Sequence, residues 1–262
     1  MSDDVSDFNK ARWEDLAQAG VEWSQPWIDL DMASAREQLD PYEIMGNVTG
    51  KSVLCLAGGG GQQSVAFGLL GADVTVIDIA ETQLERDQQA LAHHGLTARI
   101  EQGDMRDLSR FADDSFDLVW NAWAINFVPD TGPVFNEVRR VLRPGGLYRL
   151  VWGNPFSGMI DETDWVQDGY LLKRVYADGE VIMDDMDWEI EAEDGSIKKI
   201  PGPREFIHTV STVVNGLIGR GFEILGLWEE EKGDPLAEPG SWEYLKALAP
   251  HNISLWSRYR GE

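Results

Sequence analysis

One cysteine, four histidines and seven lysines among 262 residues remove several common chemistries at the outset. A lone Cys55 excludes an intrachain disulfide framework and offers no paired thiolates for a metal or redox motif. The histidines, His93, His94, His208 and His251, form no set at zinc-ligand spacing, so no metal site is expected. No run approaches the roughly eighteen uninterrupted apolar residues of a membrane-crossing helix. Positive charge is scarce, with 22 Lys and Arg against 46 Asp and Glu and a formal net charge of −24. A field of that sign repels phosphate backbones, so no nucleic-acid partner is expected. An acidic, lysine-poor surface would suit a high-salt cytoplasm, where self-repulsion is screened. The first residues, MSDDVSDFNK, are the opposite of a secretory signal, and a cytoplasmic location is expected.

What remains is ample for a core, since 43% of the residues are hydrophobic. Residues 1–50 read as an N-terminal helical cap, with FNKARWEDLAQAG and DMASAREQLDPYEIMG at helical spacing and an interruption at Pro41. From 51 to 153 apolar strands alternate with amphipathic helices. SVLCLA, DVTVIDI, ARIEQGDM, FDLVWNA and GGLYRLVWG are the strands, which predicts parallel pairing with right-handed crossovers. The fold class expected is α/β, a doubly wound, mostly parallel seven-stranded sheet. Residues 154–203, acidic and tryptophan-bearing, read as an insertion or lid. Residues 204–262 complete the sheet through a strand at EFI, a helix and a strand at FEILGLW; the tail from Ser241 has no assignment beyond a short helix.

Four glycines, Gly58 to Gly61, join the first strand to its helix. Such a turn lets a ligand approach the backbone and exposes N–H groups at the helix start. A phosphate-binding P-loop would need Lys and Ser or Thr after the last glycine, where Gln62 and Gln63 stand. A GxGxxG dinucleotide fingerprint would need glycine at 63 or 64, where Gln63 and Ser64 stand. Asp78 ends the second strand, placed to accept ribose hydroxyls. Asp104 ends the third, placed to accept from an adenine amino group, and Ile79 and Met105 flank the two acids as candidate walls for the ring. Asn121 and Ala122 end the fourth strand on the same edge.

Together these motifs make the stretch from about 50 to 152 resemble a class I S-adenosylmethionine-dependent methyltransferase of the small-molecule branch. They are Gly58–Gly61, VIDIA, EQGDMRDL, FDLVWNAWAINFVPD and VLRPGG, in that order. The resemblance implies S-adenosylmethionine as cofactor. Its methionine portion would lie against Ala57, Gly58, Gly59, Gly61 and Gln63, its ribose on Asp78, its adenine on Asp104 between Ile79 and Met105, and its ammonium on the backbone near Asn121 and Ala122. Two positions depart from the family pattern. Cys55 stands where an acid is usual and Ala57 where the first glycine is usual, so the ammonium contact must come from elsewhere, Asn121 or a water.

Asn126 and Phe127 stand where related enzymes often carry histidines, so no general base carries over, and His208 is the remaining candidate. Trp27, Trp123 and Asn126 are the candidate substrate-pocket residues, since aromatic faces stack on planar acceptors and attract cations. The expected reaction is methyl transfer to a small-molecule acceptor by in-line displacement. Methylation of RNA or protein, or cofactor binding without catalysis, are the alternatives. The acidic run MDDMDWEIEAED reads as a solvated loop.

Overall fold

The structure, a computed structural model, describes residues 4–160, 165–183, 187–191 and 196–261. Helix α1 (Asp4–Ala19) and helix α2 (Met32–Leu39) precede the sheet. α2 opens on a reciprocal cap: the Ser34 N–H donates to Asp31 Oδ1 at 2.8 Å, and the Asp31 N–H donates to Ser34 Oγ at 2.9 Å. It stops at Leu39, short of Pro41, which disfavours helical backbone in the residue before it. Then β1 (Ser52–Leu56), α3 (Gln63–Leu69), β2 (Asp73–Asp78), α4 (Glu81–His93), β3 (Arg99–Gln102), β4 (Phe116–Ala122), α5 (Gly132–Val141) and β5 (Leu142–Gly153) follow.

After β5, three small ribbons follow among the described residues. β6 (Trp165–Val166) pairs with β7 (Gly169–Tyr170), β8 (Val181–Met183) with β11 (Glu205–Phe206), and β9 (Asp187–Glu191) with β10 (Ile197–Pro201). Helix α6 (Val210–Ile218), β12 (Phe222–Glu230), α7 (Trp242–Leu248) and β13 (Asn252–Tyr259) end the chain. The main sheet has seven strands in the order β12-β13-β5-β4-β1-β2-β3. Strands β3 through β5 run parallel, and β13 is antiparallel to both its neighbours. This is the expected doubly wound, mostly parallel α/β fold.

Alternation along the buried strands divides the core between two faces. Leu54 and Leu56 pack with Phe135, Val138, Val213 and Leu217 under α5 and α6. Val53 and Cys55 face the other way, with Phe67, Leu39 and Val76. Each such side chain, removed from water, stabilises the fold by about 1.5–3 kcal/mol. Cys55 is fully buried, and burial drives its thiol well above the ordinary range, so it is a core residue and not a nucleophile. Two tryptophans hold a buried cation: the Arg149 guanidinium lies 5.4 Å from the Trp120 ring and 5.7 Å from that of Trp256. Its Nη2 reaches Glu230 Oε1 at 3.2 Å, and that oxygen also accepts from the Tyr42 hydroxyl.

The tail corrects the expected layout. β13, from the segment without assignment, lies between β5 and β12, while the EFI strand pairs with β8 outside the main sheet. Ile253, Leu255 and Tyr259 do alternate toward the α5–α6 core, but buried Ser254 and Ser257 mask the apolar run. In the acidic stretch, residues 184–186 and 192–194 lie outside the described residues.

Candidate functional site

The carboxyl ends of β1, β2 and β4 open into a cavity of about 1330 Å³. Open α/β sheets bind ligands at this edge, beside the point where strand order reverses, here between β1 and β4. Its floor is the glycine turn. The Gly59 N–H donates to Asp78 Oδ2 at 2.9 Å, and the Ala80 N–H donates to Asp78 Oδ1 at 2.9 Å. A Cβ on Gly59 would lie 2.7 Å from the Gln83 Cβ and 2.9 Å from the Asp78 carboxyl carbon, so only glycine fits this closely against α4. Burial raises the Asp78 carboxyl above the ordinary range, against the lowering effect of those backbone donors.

Below the turn lies an acid that sequence reasoning missed. Asp87 of α4 is fully buried; its Oδ2 accepts from the Gly60 N–H at 2.9 Å and its Oδ1 from the Gly61 N–H at 3.1 Å. The Ser64 hydroxyl donates to the same Oδ1. Burial lifts this carboxyl from 3.8 to about 7, with the nearby Asp78 charge adding to the rise. The signal was present in the sequence: α4 buries Leu84, Asp87, Ala90 and Leu91, so an acid sits within the helix's buried stripe.

Most of the candidate residues meet at the cavity. Ala57, Gly58, Gly59 and Gln63 come from the turn, Asp78 and Ile79 from the end of β2, Asp104 and Met105 from the segment after β3, and Ala122 from β4. Trp27, Trp123 and Asn126 line it as well. Ala57 takes a left-handed backbone at φ 49°, and Trp123, 47% exposed, does so at φ 54°. Such a conformation is uncommon for a bulky residue and marks a constrained position. Asn126 accepts the Gly153 N–H at 2.9 Å through Oδ1.

Three candidates stand elsewhere. Gly61 is turned away, its N–H on Asp87 and a Cβ there only 2.8 Å from that of Ala90. Asn121 is fully buried between strands, its Nδ2 donating to the Leu56 carbonyl and its Oδ1 accepting from the Tyr148 hydroxyl. Its side chain is therefore unavailable for a ligand ammonium. His208 is buried with Nε2 2.9 Å from both the Ile125 and Val128 carbonyls, and burial lowers its basicity. It does not line the cavity and serves to hold the turn after β4.

α1 crosses the cavity as a cover. Ser6 Oγ donates to Asp104 Oδ2 at 2.9 Å, and Glu14 accepts the Glu81 and Thr82 N–H groups at the start of α4. Burial alone would raise Asp104, but Arg106, 2.7 Å from its Oδ2, and Ser6 hold it below the ordinary range. The remaining walls are aromatic and acidic. Trp13 packs edge-on against Phe127 at 5.0 Å and Trp188 at 5.9 Å, and Trp23 meets Trp188 at 5.2 Å. Glu205, Glu231 and His251 also line the cavity. Four buried polar atoms of lining residues, Gln63 Oε1, Gln83 Oε1, Trp188 Nε1 and His251 Nδ1, have no hydrogen-bond partner among the described residues. Such atoms are costly unless a ligand or water satisfies them. Among the described residues no cluster of His, Cys, Asp or Glu is arranged to hold a metal ion.

The geometry suits a nucleoside with a charged amino-acid tail: carboxylates for hydroxyl and amino donors, bare amide oxygens for an ammonium, and a turn that admits close approach. Comparison with known proteins agrees. A sequence profile described as a methyltransferase domain matches residues 54–150. The uncharacterized methyltransferase YbaJ of Bacillus subtilis (strain 168) is 32% identical over 241 residues, covering 86% of this chain and 90% of that protein. The ubiquinone/menaquinone biosynthesis C-methyltransferase UbiE of Marinomonas sp. (strain MWYL1) is 33% identical over 144 residues, 53% of this chain and 56% of that one. Among solved structures, an S-adenosylmethionine-dependent methyltransferase from Mesorhizobium loti shares the fold with a TM-score of 0.59 at 21% identity, over 87% of this chain and 99% of that one. The chain belongs to the class I S-adenosylmethionine-dependent methyltransferases, and S-adenosylmethionine is its cofactor.

Proposed function

We propose that this methyltransferase modifies a small organic molecule held in the same cavity as the cofactor. The observation that carries the reading is the cavity's size and cover: about 1330 Å³, bounded by α1, the turn after β4 and the segment after β5. Single-ligand pockets run to about 300–1,000 Å³, so space remains for an acceptor beside the cofactor. The net charge of −24 disfavours RNA as the acceptor. That the UbiE relative is by name a C-methyltransferase of quinone biosynthesis gives a small-molecule precedent within the family. Residues 1–50 and 154–203 act in this reading as cap and lid over the core.

In this reading Asp78 accepts the ribose hydroxyls, Ile79 and Met105 enclose the adenine, and Asp104 accepts from its amino group. Ala57, Gly58 and Gly59 pass close beneath the methionine portion. Gln63 Oε1 and Gln83 Oε1, lacking protein donors, accept from its ammonium. The cofactor supplies a methyl group on an already cationic sulfur, so the chain's own work is to align the acceptor and exclude water. A strong catalytic dyad is not required for that. The test is incubation with methyl-labelled S-adenosylmethionine and a cell extract separated into metabolite, RNA and protein pools. Label in the metabolite pool is expected; label confined to RNA or protein would overturn the proposal.

A further inference from the structure

We infer that the acceptor is an organic ammonium ion, held against the tryptophan wall and paired with Glu205. The inference rests on the small-molecule reading above and names the substrate class for it. Glu205 lines the cavity from β11, and among the described residues nothing donates a hydrogen bond to its carboxylate or pairs with it. The guanidinium next to it in sequence, Arg204, lies over the Phe8 ring at 4.4 Å. Glu205 is half-buried, and desolvation alone raises its carboxyl to about 7, as expected of an acid facing a cavity with no cation beside it. A carboxylate kept in such a place calls for a positive or hydrogen-donating ligand.

The aromatic wall lines the same cavity. Asn9 Nδ2 donates to the carbonyls of Phe127 and Arg204, at 2.9 and 3.1 Å, and Asn9 Oδ1 accepts the Arg204 N–H at 2.7 Å. One side chain of α1 thereby ties the residue preceding Glu205 to the ring that packs against Trp13. Trp13, Trp23 and Trp188 then form a continuous edge-to-face series along the cavity. Ring faces attract cations most strongly where water is excluded. Glu22 and Asp187 add negative charge on the same lining; of its two cations, Arg106 is paired with Asp104 and Arg174 donates to the Gly158 carbonyl. An uncharged or anionic acceptor would leave Glu205 without a counter-ion.

For a primary or secondary ammonium the balance closes within the site. One N–H proton passes to the Glu205 carboxylate, and the freed nitrogen lone pair forms the N–C bond. The C–S bond breaks with its electron pair kept by sulfur, and the product leaves as a methylated ammonium.

Protein saturated with S-adenosylhomocysteine would be titrated, by tryptophan emission, with choline and with its uncharged isostere 3,3-dimethylbutan-1-ol. At least tenfold tighter binding of choline is expected, with the preference lost in Glu205→Gln while its affinity for S-adenosylhomocysteine stays unchanged and its unfolding stays cooperative. Equal or weaker binding of choline, binding of neither probe, or a preference that survives the substitution would overturn the inference. In the labelled-extract experiment a cationic labelled metabolite supports it. An anionic or neutral labelled metabolite refutes the ammonium while leaving the small-molecule reading intact, whereas label only in RNA or protein removes both.

Discussion

Replacing Asp87 with asparagine should make stability less dependent on pH, and should make the variant the more stable protein in mild alkali. The carboxyl's ordinary value is 3.8 and its value in the folded protein about 7. Between the two, the native state keeps a proton that the unfolded chain has released. The stabilisation linked to that proton is fully present below about pH 4 and is lost as pH rises through about 7. At ~1.36 kcal/mol per pH unit, the whole interval corresponds to roughly 4 kcal/mol, of which roughly 2–3 kcal/mol falls between about pH 5 and about pH 8. The side chain is fully buried, so solvent screening removes little of this. Asparagine does not titrate, and at pH 5 it resembles the protonated acid in shape and in presenting a donor toward the turn. Urea unfolding followed by tryptophan emission should therefore give similar stabilities at pH 5 and an advantage to Asp87→Asn of roughly 2–3 kcal/mol at pH 8. The same variant should bind S-adenosylhomocysteine more weakly at pH 8, because its amide turns a donor toward the Gly60 or Gly61 N–H and disturbs the floor of the site. Parallel pH profiles for the two proteins, or a variant less stable at pH 8, would refute this account of the buried acid.

Asp78→Asn should raise the dissociation constant for S-adenosylhomocysteine by about ten- to a hundredfold, from the loss of roughly 1.5–3 kcal/mol in charge-assisted hydrogen bonding; an unchanged constant by calorimetry would end the ribose assignment. Ala57→Gly should stabilise the protein by about 1 kcal/mol, because φ 49° costs alanine and not glycine; a lower unfolding midpoint would show that the methyl group earns its place by packing. His208→Gln should spare turnover, since the ring does no more than face two backbone carbonyls; a loss on the scale of a general base, about 10²-fold or more, would restore it to the mechanism. Raising sodium chloride from about 0.1 to about 1 M, which shortens the screening length from ~10 to ~3 Å, should raise the melting temperature of a chain carrying −24 charges; a fall would mean self-repulsion is not what limits its stability.

The parallel half of the fold was legible because β1, β2 and the end of β5 are apolar runs bounded by glycine or an acid, and helices at 3.6-residue spacing separate the strands. The antiparallel end was not. β13 carries serines into the sheet interior, where small polar side chains fit beside Trp256 and Arg149, and a hydrophobicity scan passes over them. Residues on the cavity edge could be placed because strand ends occupy fixed positions in such a sheet. Glu205, Gln83, Trp13 and His251 reach the same space only through tertiary packing of α1, α4 and the segments after β5, which no local spacing encodes. Asn121 ends the expected strand, but its side chain is consumed by Leu56 and Tyr148 inside the sheet, which leaves only its backbone for the edge.

The departure at Cys55 also finds its physical explanation in α4. With no acid on β1, the carboxylate that meets the glycine turn comes from Asp87, on the far side of the loop from the cavity. It uses the Gly60 and Gly61 N–H groups, while Asp78 uses that of Gly59. A loop whose backbone donors are already taken cannot cradle a phosphate, which needs them free. What the cavity's lining residues offer instead are acceptors: Asp78, and the buried, unpartnered Gln63 Oε1 and Gln83 Oε1. Hydroxyls and an ammonium are the groups that such a surface binds, and a ribose joined to a methionine tail carries both. The selection of S-adenosylmethionine over a phosphate-bearing cofactor thus follows from which hydrogen-bonding partners the fold has spent on itself and which it has left open.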